Sequence, residues 1–464
     1  MAKKRADLLI KGGLVVTGEG IFHKDILVVD GRIDTIERGL SADAVRVIDA
    51  GGLYVLPGAI DAHAHPVYED RMDQYSITAA YGGVTTIVPF VGNVKSWGFS
   101  GYTTDVVKAF IEESEAISYL DFGVHGAFST ADEDSLERSI PELIKMGIPS
   151  FKLFMAYKRR GMMLSDEAIL KAMAAASNDG GLTMVHAETG CCIEYLTDHF
   201  VASGKTGPEW FLPSQPNLLE AEAVNRAATF AQVVGTPLYP VHLSTSEAIP
   251  VVRRFREQNL PVFTETCPHY LTLTNEELLK KGPIAKVGPP LRELKDSEAL
   301  WDALADGTID VVGSDSGGFT LARKIKPETE DNIFEAPYGL NTIEFMVPVV
   351  WNYGVNQGKI TLPRLVQVLC ENPAKIFGLY PQKGSLSPGA DADIVIWDPT
   401  RPHLVNGQHG NTDYSSFDGF QLLGMPVLTI QRGEVVIEGG RVMRKQGRAR
   451  FIKGNPNSTP YAKA

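Results

Sequence analysis

Between residues 55 and 313 the chain repeats one rhythm eight times: a short apolar run, then a longer amphipathic or alanine-rich stretch. The apolar runs are Val55–His63, Val84–Val91, Asp121–Phe128, Ser150–Met155, Thr183–His186, Leu238–Leu243, Val262–Thr266 and Ile309–Gly313. Runs of this length suit strands buried on both faces. The stretches between them, such as Asp166–Ala176, Leu218–Val234 and Asp296–Leu304, have helical length and spacing. Parallel strands need such crossovers, so the rhythm predicts a parallel sheet wrapped by helices. Eight strand–helix units fit a (β/α)8 barrel. A doubly wound open sheet is the rival that periodicity alone leaves open.

Outside this stretch the pattern changes. Residues 6 to 55 alternate Leu8–Gly13, Leu14–Val16 and Ile26–Ile33 with turns, and Asp30-Gly31 between apolar runs is a strong hairpin signal. After a predicted helix at Leu362–Cys370 the chain returns to short strands at Ala390–Asp398, Pro426–Ile430 and Glu434–Ile437, with a hairpin at Glu438–Val442. The two ends are expected to pair into one small β-sandwich. Residues 1–56 and 381–464 would form it, and residues 57–380 would be the barrel inserted within it.

Composition narrows the function classes. A net charge of −12 argues against nucleic acid or an anionic membrane as partner. The cysteines Cys191, Cys192, Cys267 and Cys370 have no framework spacing, which suits a reducing compartment. Met1-Ala2-Lys3-Lys4-Arg5 is basic, but the apolar run behind it is too short for a signal peptide or a membrane span. A cytoplasmic location is the expectation.

Barrel enzymes carry their chemistry at the C-terminal ends of the strands, and titratable residues collect there. His63 and His65 end the first run, where residues two apart share a face and can reach one ion together. Lys152 lies in the fourth run, His186 ends the fifth, His242 lies near the end of the sixth, and Asp315 follows the eighth. Lysine is almost never fully buried without a partner, and burial depresses its pKa. A neutral amine at Lys152 can attack a carbonyl or capture carbon dioxide as a carbamate, whose two oxygens would bridge two metals. Beside four histidines and an aspartate the bridging carbamate fits best. Imidazole with carboxylate-type oxygen suits Zn²⁺, with Mn²⁺, Co²⁺ or Fe²⁺ as substitutes. Two such ions would acidify a bridging water and polarise a carbonyl. Asp315 would hold one metal, take the water's proton and pass it to a leaving nitrogen.

These residues, with the runs around them, resemble the hydantoinases and dihydropyrimidinases, cyclic amidohydrolases of the amidohydrolase superfamily. The likeness is carried by Gly58–His65, Ala80–Thr86, Phe151–Tyr157, Val185–Glu188, Val241–Ser244, Glu265–Leu271, Asn372–Leu379 and Gly389–Asp393, and so covers almost the whole chain. The resemblance implies a barrel with a β-sandwich and two zinc ions bridged by carboxylated Lys152 (N6-carboxylysine). His63, His65 and Asp315 would sit on one ion, and His186 and His242 on the other. It implies that Tyr157 donates to the substrate carbonyl as negative charge develops there. It also implies ring opening of a cyclic amide or ureide at a C–N bond, in a homo-oligomer (tetramer or dimer).

Three positions depart from the family pattern. Gly288 stands in Gly288-Pro289-Pro290-Leu291-Arg292 where a serine is usual, so a hydroxyl is lost although backbone contact with substrate survives. Ser316 follows Asp315 where a histidine is usual. Tyr338 aligns with an asparagine that meets the ring amide. The substrate-binding set is therefore read as Tyr157, Gly288 and Tyr338. Dihydroorotase is disfavoured, because Pro66-Val67-Tyr68 follows His65 with no arginine. An allantoinase or a cyclic imide hydrolase on the same site is the alternative, with Arg71, Arg159 and Arg160 near the expected mouth. The loop Trp97–Tyr102 and the pair Met162-Met163 suggest an apolar wall instead. A non-catalytic scaffold protein would have lost metal ligands, and all six are present. A deaminase or acyclic amidase is disfavoured by the bridging-lysine pattern.

Overall fold

The computed structural model describes residues 5–462, so most of the basic opening segment lies outside the described residues. Eight parallel strands close on themselves: β1 (Ala59–Ala64), β2 (Val84–Gly92), β3 (His125–Ala127), β4 (Ser150–Phe154), β5 (Leu182–His186), β6 (Leu238–Pro240), β7 (Glu265–Thr266) and β8 (Val311–Val312). Parallel ladders join β1 through β6 in sequence, and β7 to β8. A bridge between Leu238 and Val262 links β6 to the approach of β7, and one between Ala64 and Ser316 links β1 to the segment after β8. The amide of Asp315 donates to the His63 carbonyl at 2.9 Å across that last seam. The barrel is closed, which excludes the open-sheet alternative.

The first apolar run is divided. Tyr54–Pro57 belongs to a different sheet, and the barrel begins only at Ala59. Gly58 makes the change of direction: a Cβ there would lie 2.0 Å from Thr85 Oγ1, so only glycine lets the chain pass. Both halves are buried, and hydrophobicity therefore runs through the boundary unbroken. Tyr54–Pro57 pairs antiparallel with Ile394–Trp397, in the register Ile394 to Pro57 through Trp397 to Tyr54. This pairing puts both chain ends into one seven-stranded sheet, with a four-stranded sheet from residues 6 to 49 beside it. The expected Asp30-Gly31 turn joins Asp25–Val29 to Arg32–Glu37, with Asp30 at φ 53° and Gly31 at φ 71°.

A buried ion cluster fastens the barrel to this chain-end layer. The Lys383 ammonium lies 2.6 Å from Asp121, 3.0 Å from Asp391 and 2.8 Å from Asp393, and all four residues are buried. Burial works against the Lys383 charge, but three carboxylates outweigh it and hold its pKa above the usual lysine range. No helix among the described residues is long and apolar enough to cross a membrane.

Candidate active site

All six sequence-predicted ligands meet at the C-terminal mouth of the barrel, where they line one small cavity with Tyr157, Gly288 and Tyr338. His63 and His65 project from β1, and both present Nε2 to Asp315 Oδ1 at 3.1 Å. His186, at the end of β5, lies with Nδ1 2.8 Å from Nε2 of His242. The His63 ring is 5.3 Å from that of His242, so the two groups adjoin. Lys152 is 1% exposed, with its ammonium over the rings of Phe90 and Phe154 at 4.6 and 5.6 Å. Burial in these apolar surroundings lowers its pKa to about 8.

The backbone is bent to make this arrangement. Six residues other than glycine have positive φ among the described residues, and three of them are Tyr157, His242 and Asp315. Left-handed geometry is costly for such side chains and persists where surrounding packing over-determines it. Each of the three follows a strand end and is turned back over the mouth.

Burial lowers the His63 pKa, but the Glu265 and Asp315 carboxylates outweigh it and raise it, while the other three histidines are held neutral. Burial drives His65 down to about 4 and His242 well below the ordinary histidine range, and it lowers His186 as well. These imidazoles are neutral near pH 7, the form that offers a lone pair to a metal. Burial opposes charge on Asp315 too, but His63 and His65 prevail and hold its carboxyl well below the usual range. His65 Nδ1 and His242 Nδ1 are buried with no hydrogen-bond partner. Buried polar atoms normally find partners. These orphaned donor atoms, with a carboxylate and an amine among them, fit a metal centre.

Glu265 was not among the predicted site residues. It is buried on β7, where it accepts from the His242 amide at 3.1 Å and the Tyr239 hydroxyl at 2.9 Å and makes a close contact with His63 Nδ1. It thereby fixes the imidazole and leaves Nε2 facing the cavity. The signal was its place on a strand that ends at the mouth. Glu188 does the corresponding work for His186, 2.8 Å from its Nε2.

Tyr157 presents its ring to His186 at 4.6 Å, and its hydroxyl donates to the Gly288 carbonyl at 3.1 Å. Burial, then the charge of Glu188, keeps the phenol pKa well above its ordinary value, so it stays a donor. Positions 288 and 338 prove to be coupled by contact. A Cβ at Gly288 would lie 2.5 Å from Tyr157 Oη and 2.8 Å from Tyr338 Cδ1. A serine has no room beside this tyrosine. Ser316 is buried behind the mouth, where its Oγ accepts from the Thr342 amide at 3.1 Å.

The Tyr338 loop is held from behind by two buried lysines. Lys286 donates to the carbonyls of Phe334 and Ala336, and Lys324 to those of Lys286 and Pro337. The Lys286 ammonium lies 4.1 Å from the centre of the Tyr338 ring. Burial brings Lys286 to about 7 and Lys324 well below the lysine range. Trp97 and Met162 line the small cavity over the ligands, in keeping with the expected apolar wall. A larger cavity of about 550 Å³ opens beside it and shares Tyr68, Tyr157, Arg160 and Tyr338.

Residues 54–436 match the amidohydrolase family, and the chain belongs to that family. Within it the chain is 36% identical to a D-hydantoinase of Ralstonia pickettii over 460 residues, 96% of this chain and 98% of that protein. Its fold superposes on dihydropyrimidinase from Brevibacillus agri NCHU1002 with a TM-score of 0.92, at 32% identity, covering 98% of this chain and 99% of the other. It superposes on an L-hydantoinase (dihydropyrimidinase) from Arthrobacter aurescens with a TM-score of 0.89, also at 32% identity, covering 97% and 100%.

Proposed function

We propose that the protein is a hydrolase that opens cyclic amides or ureides at a C–N bond, using a binuclear metal centre on His63, His65, Lys152, His186, His242 and Asp315. The observation that carries this reading is the convergence of all six side chains, from five strand ends, on one cavity. His63, His65 and Asp315 would hold one metal, and His186 and His242 the other. Lys152 would join them as its carbamate, a reaction that the pKa of about 8 favours by leaving part of the amine neutral. Zinc is the metal that the donor set suits best. When bound, the metals supply Lewis acidity and a water acidified to neutral pH.

The chain's own residues supply the rest. Asp315, held ionised by the histidines, takes the proton of the attacking water and delivers it to the leaving nitrogen. Tyr157, held protonated, donates its hydroxyl to the carbonyl oxygen as negative charge gathers there. The Gly288 backbone and the Tyr338 ring border the bound amide ring. The tests are hydantoins, dihydropyrimidines, allantoin and cyclic imides, set against N-acyl amino acids, on zinc- and bicarbonate-loaded protein. Hydrolysis confined to the cyclic compounds is expected. Hydrolysis of the acyclic amides alone, or of none, would overturn the reading.

We further propose a cytoplasmic homo-oligomer. Sedimentation of the loaded protein tests it, and a monomer at micromolar concentration would contradict it.

A further inference from the structure

Three arginines stand near the mouth, and the structure separates them. Both oxygens of Glu113 accept from the Arg71 guanidinium at 2.8 Å, which turns it outward. Arg159 is closely paired with Asp198 and has Glu194 at 3.8 Å. Arg160 has no ion-pair or hydrogen-bond partner for its guanidinium among the described residues, and it lines both the small cavity over the metal ligands and the larger one beside it.

Its position is built. Tyr157 and Gly161 bracket the Lys158–Arg160 turn in left-handed conformations, both at φ 66°. The Tyr157 carbonyl accepts from the amides of Arg160 at 3.0 Å and Met162 at 3.2 Å. The guanidinium rests 5.1 Å from the centre of the Tyr157 ring. The other charged groups around the larger cavity are mostly satisfied: Arg323 meets Glu69 at 3.0 Å, and Glu188 meets His186. Glu335, the remaining acid, is exposed at the rim. Among the described residues, a half-buried, unpaired arginine where the two cavities join is therefore the one free cation that a bound ring's substituent would meet.

Resting on the ring-opening reading above, we propose that Arg160 is a specificity-determining residue that selects cyclic amides or ureides whose ring substituent ends in a carboxylate. The guanidinium fork matches the two oxygens of a carboxylate. The larger cavity, at about 550 Å³, has room for a side chain of several carbons between ring and carboxylate.

The experiment compares a hydantoin carrying a propionate substituent with its neutral propionamide counterpart, on zinc- and bicarbonate-loaded full-length protein. Both turnover and calorimetric binding are read. The wild type is expected to favour the acid at least ten-fold in kcat/KM. Arg160→Gln should erase that preference mainly through KM, and Arg160→Lys should restore part of it. Equal binding of acid and amide by the wild type, or a preference unchanged in Arg160→Gln, would overturn the inference. Preferential binding of the acid without turnover of either compound would uphold the role of Arg160 and overturn the ring-opening reading.

Discussion

Substituting Gly288 by alanine adds one methyl group at the most crowded point of the site. The new carbon would lie 2.5 Å from Tyr157 Oη and 2.8 Å from Tyr338 Cδ1. Ordinary contact begins near 3.4 Å, so the phenol must retreat by about 0.9 Å and the Tyr338 ring by about 0.6 Å. Neither moves freely. Tyr157 is wedged against His186, and Lys286 sits on the Tyr338 ring. Overpacking of this kind costs about 1–3 kcal/mol, and the bond from Tyr157 to the Gly288 carbonyl is worth about 1 kcal/mol. A misplacement of about 1 Å in a catalytic group costs roughly a hundred-fold in rate. Gly288→Ala should therefore lose 1–3 kcal/mol in urea unfolding and about a hundred-fold in kcat for a cyclic ureide, with the metals retained. Adding Tyr338→Ala removes one of the two clashes, so the double variant should recover about 0.5–3 kcal/mol relative to the sum of the single effects. Wild-type stability and turnover in Gly288→Ala, or strict additivity in the double variant, would refute the coupling of the two positions.

Tyr157→Phe should lower kcat by about a hundred- to a thousand-fold while metal content stays the same; an unchanged kcat would remove the phenol from the mechanism. Lys383→Met removes the buried cation that Asp121, Asp391 and Asp393 share and leaves Arg432, 3.2 Å from Asp121, at the cluster's edge, so unfolding should become easier by about 3–5 kcal/mol. A loss below 1 kcal/mol would show that the cluster is not what fastens the two layers. Asp70 is buried, and burial raises its pKa from 3.8 to about 6. A raised folded-state pKa contributes stability below pH 3.8 that is lost as pH climbs through 6. Asp70→Asn should therefore gain on the wild type between those values by the order of 2–3 kcal/mol, and a difference flat with pH would contradict this.

The barrel was legible because every strand is buried on both faces and its helices carry a different period. The pairing of the chain ends was legible too, but the exact junction was not. Gly58 is defined by what Thr85 does across the sheet, and no local pattern records that. The six ligands stood out as titratable residues where apolar strands end. Glu265 sits on a strand of two residues and faces the back of His63, where only the closed barrel shows what it touches. No sequence pattern marks Lys286 and Lys324 as buried, and four backbone carbonyls are what make their burial tolerable. Positions 288 and 338 lie 50 residues apart in the chain, and only the folded structure shows that they touch.

We propose Lys152 as the bridge between two metals. Atomic emission analysis of protein reconstituted with zinc and bicarbonate, wild type beside Lys152→Ala, tests it most directly. Two metals per chain in the wild type, falling to one or none in the variant, is the predicted result; metal absent from the wild type, or occupancy untouched by the substitution, would contradict it.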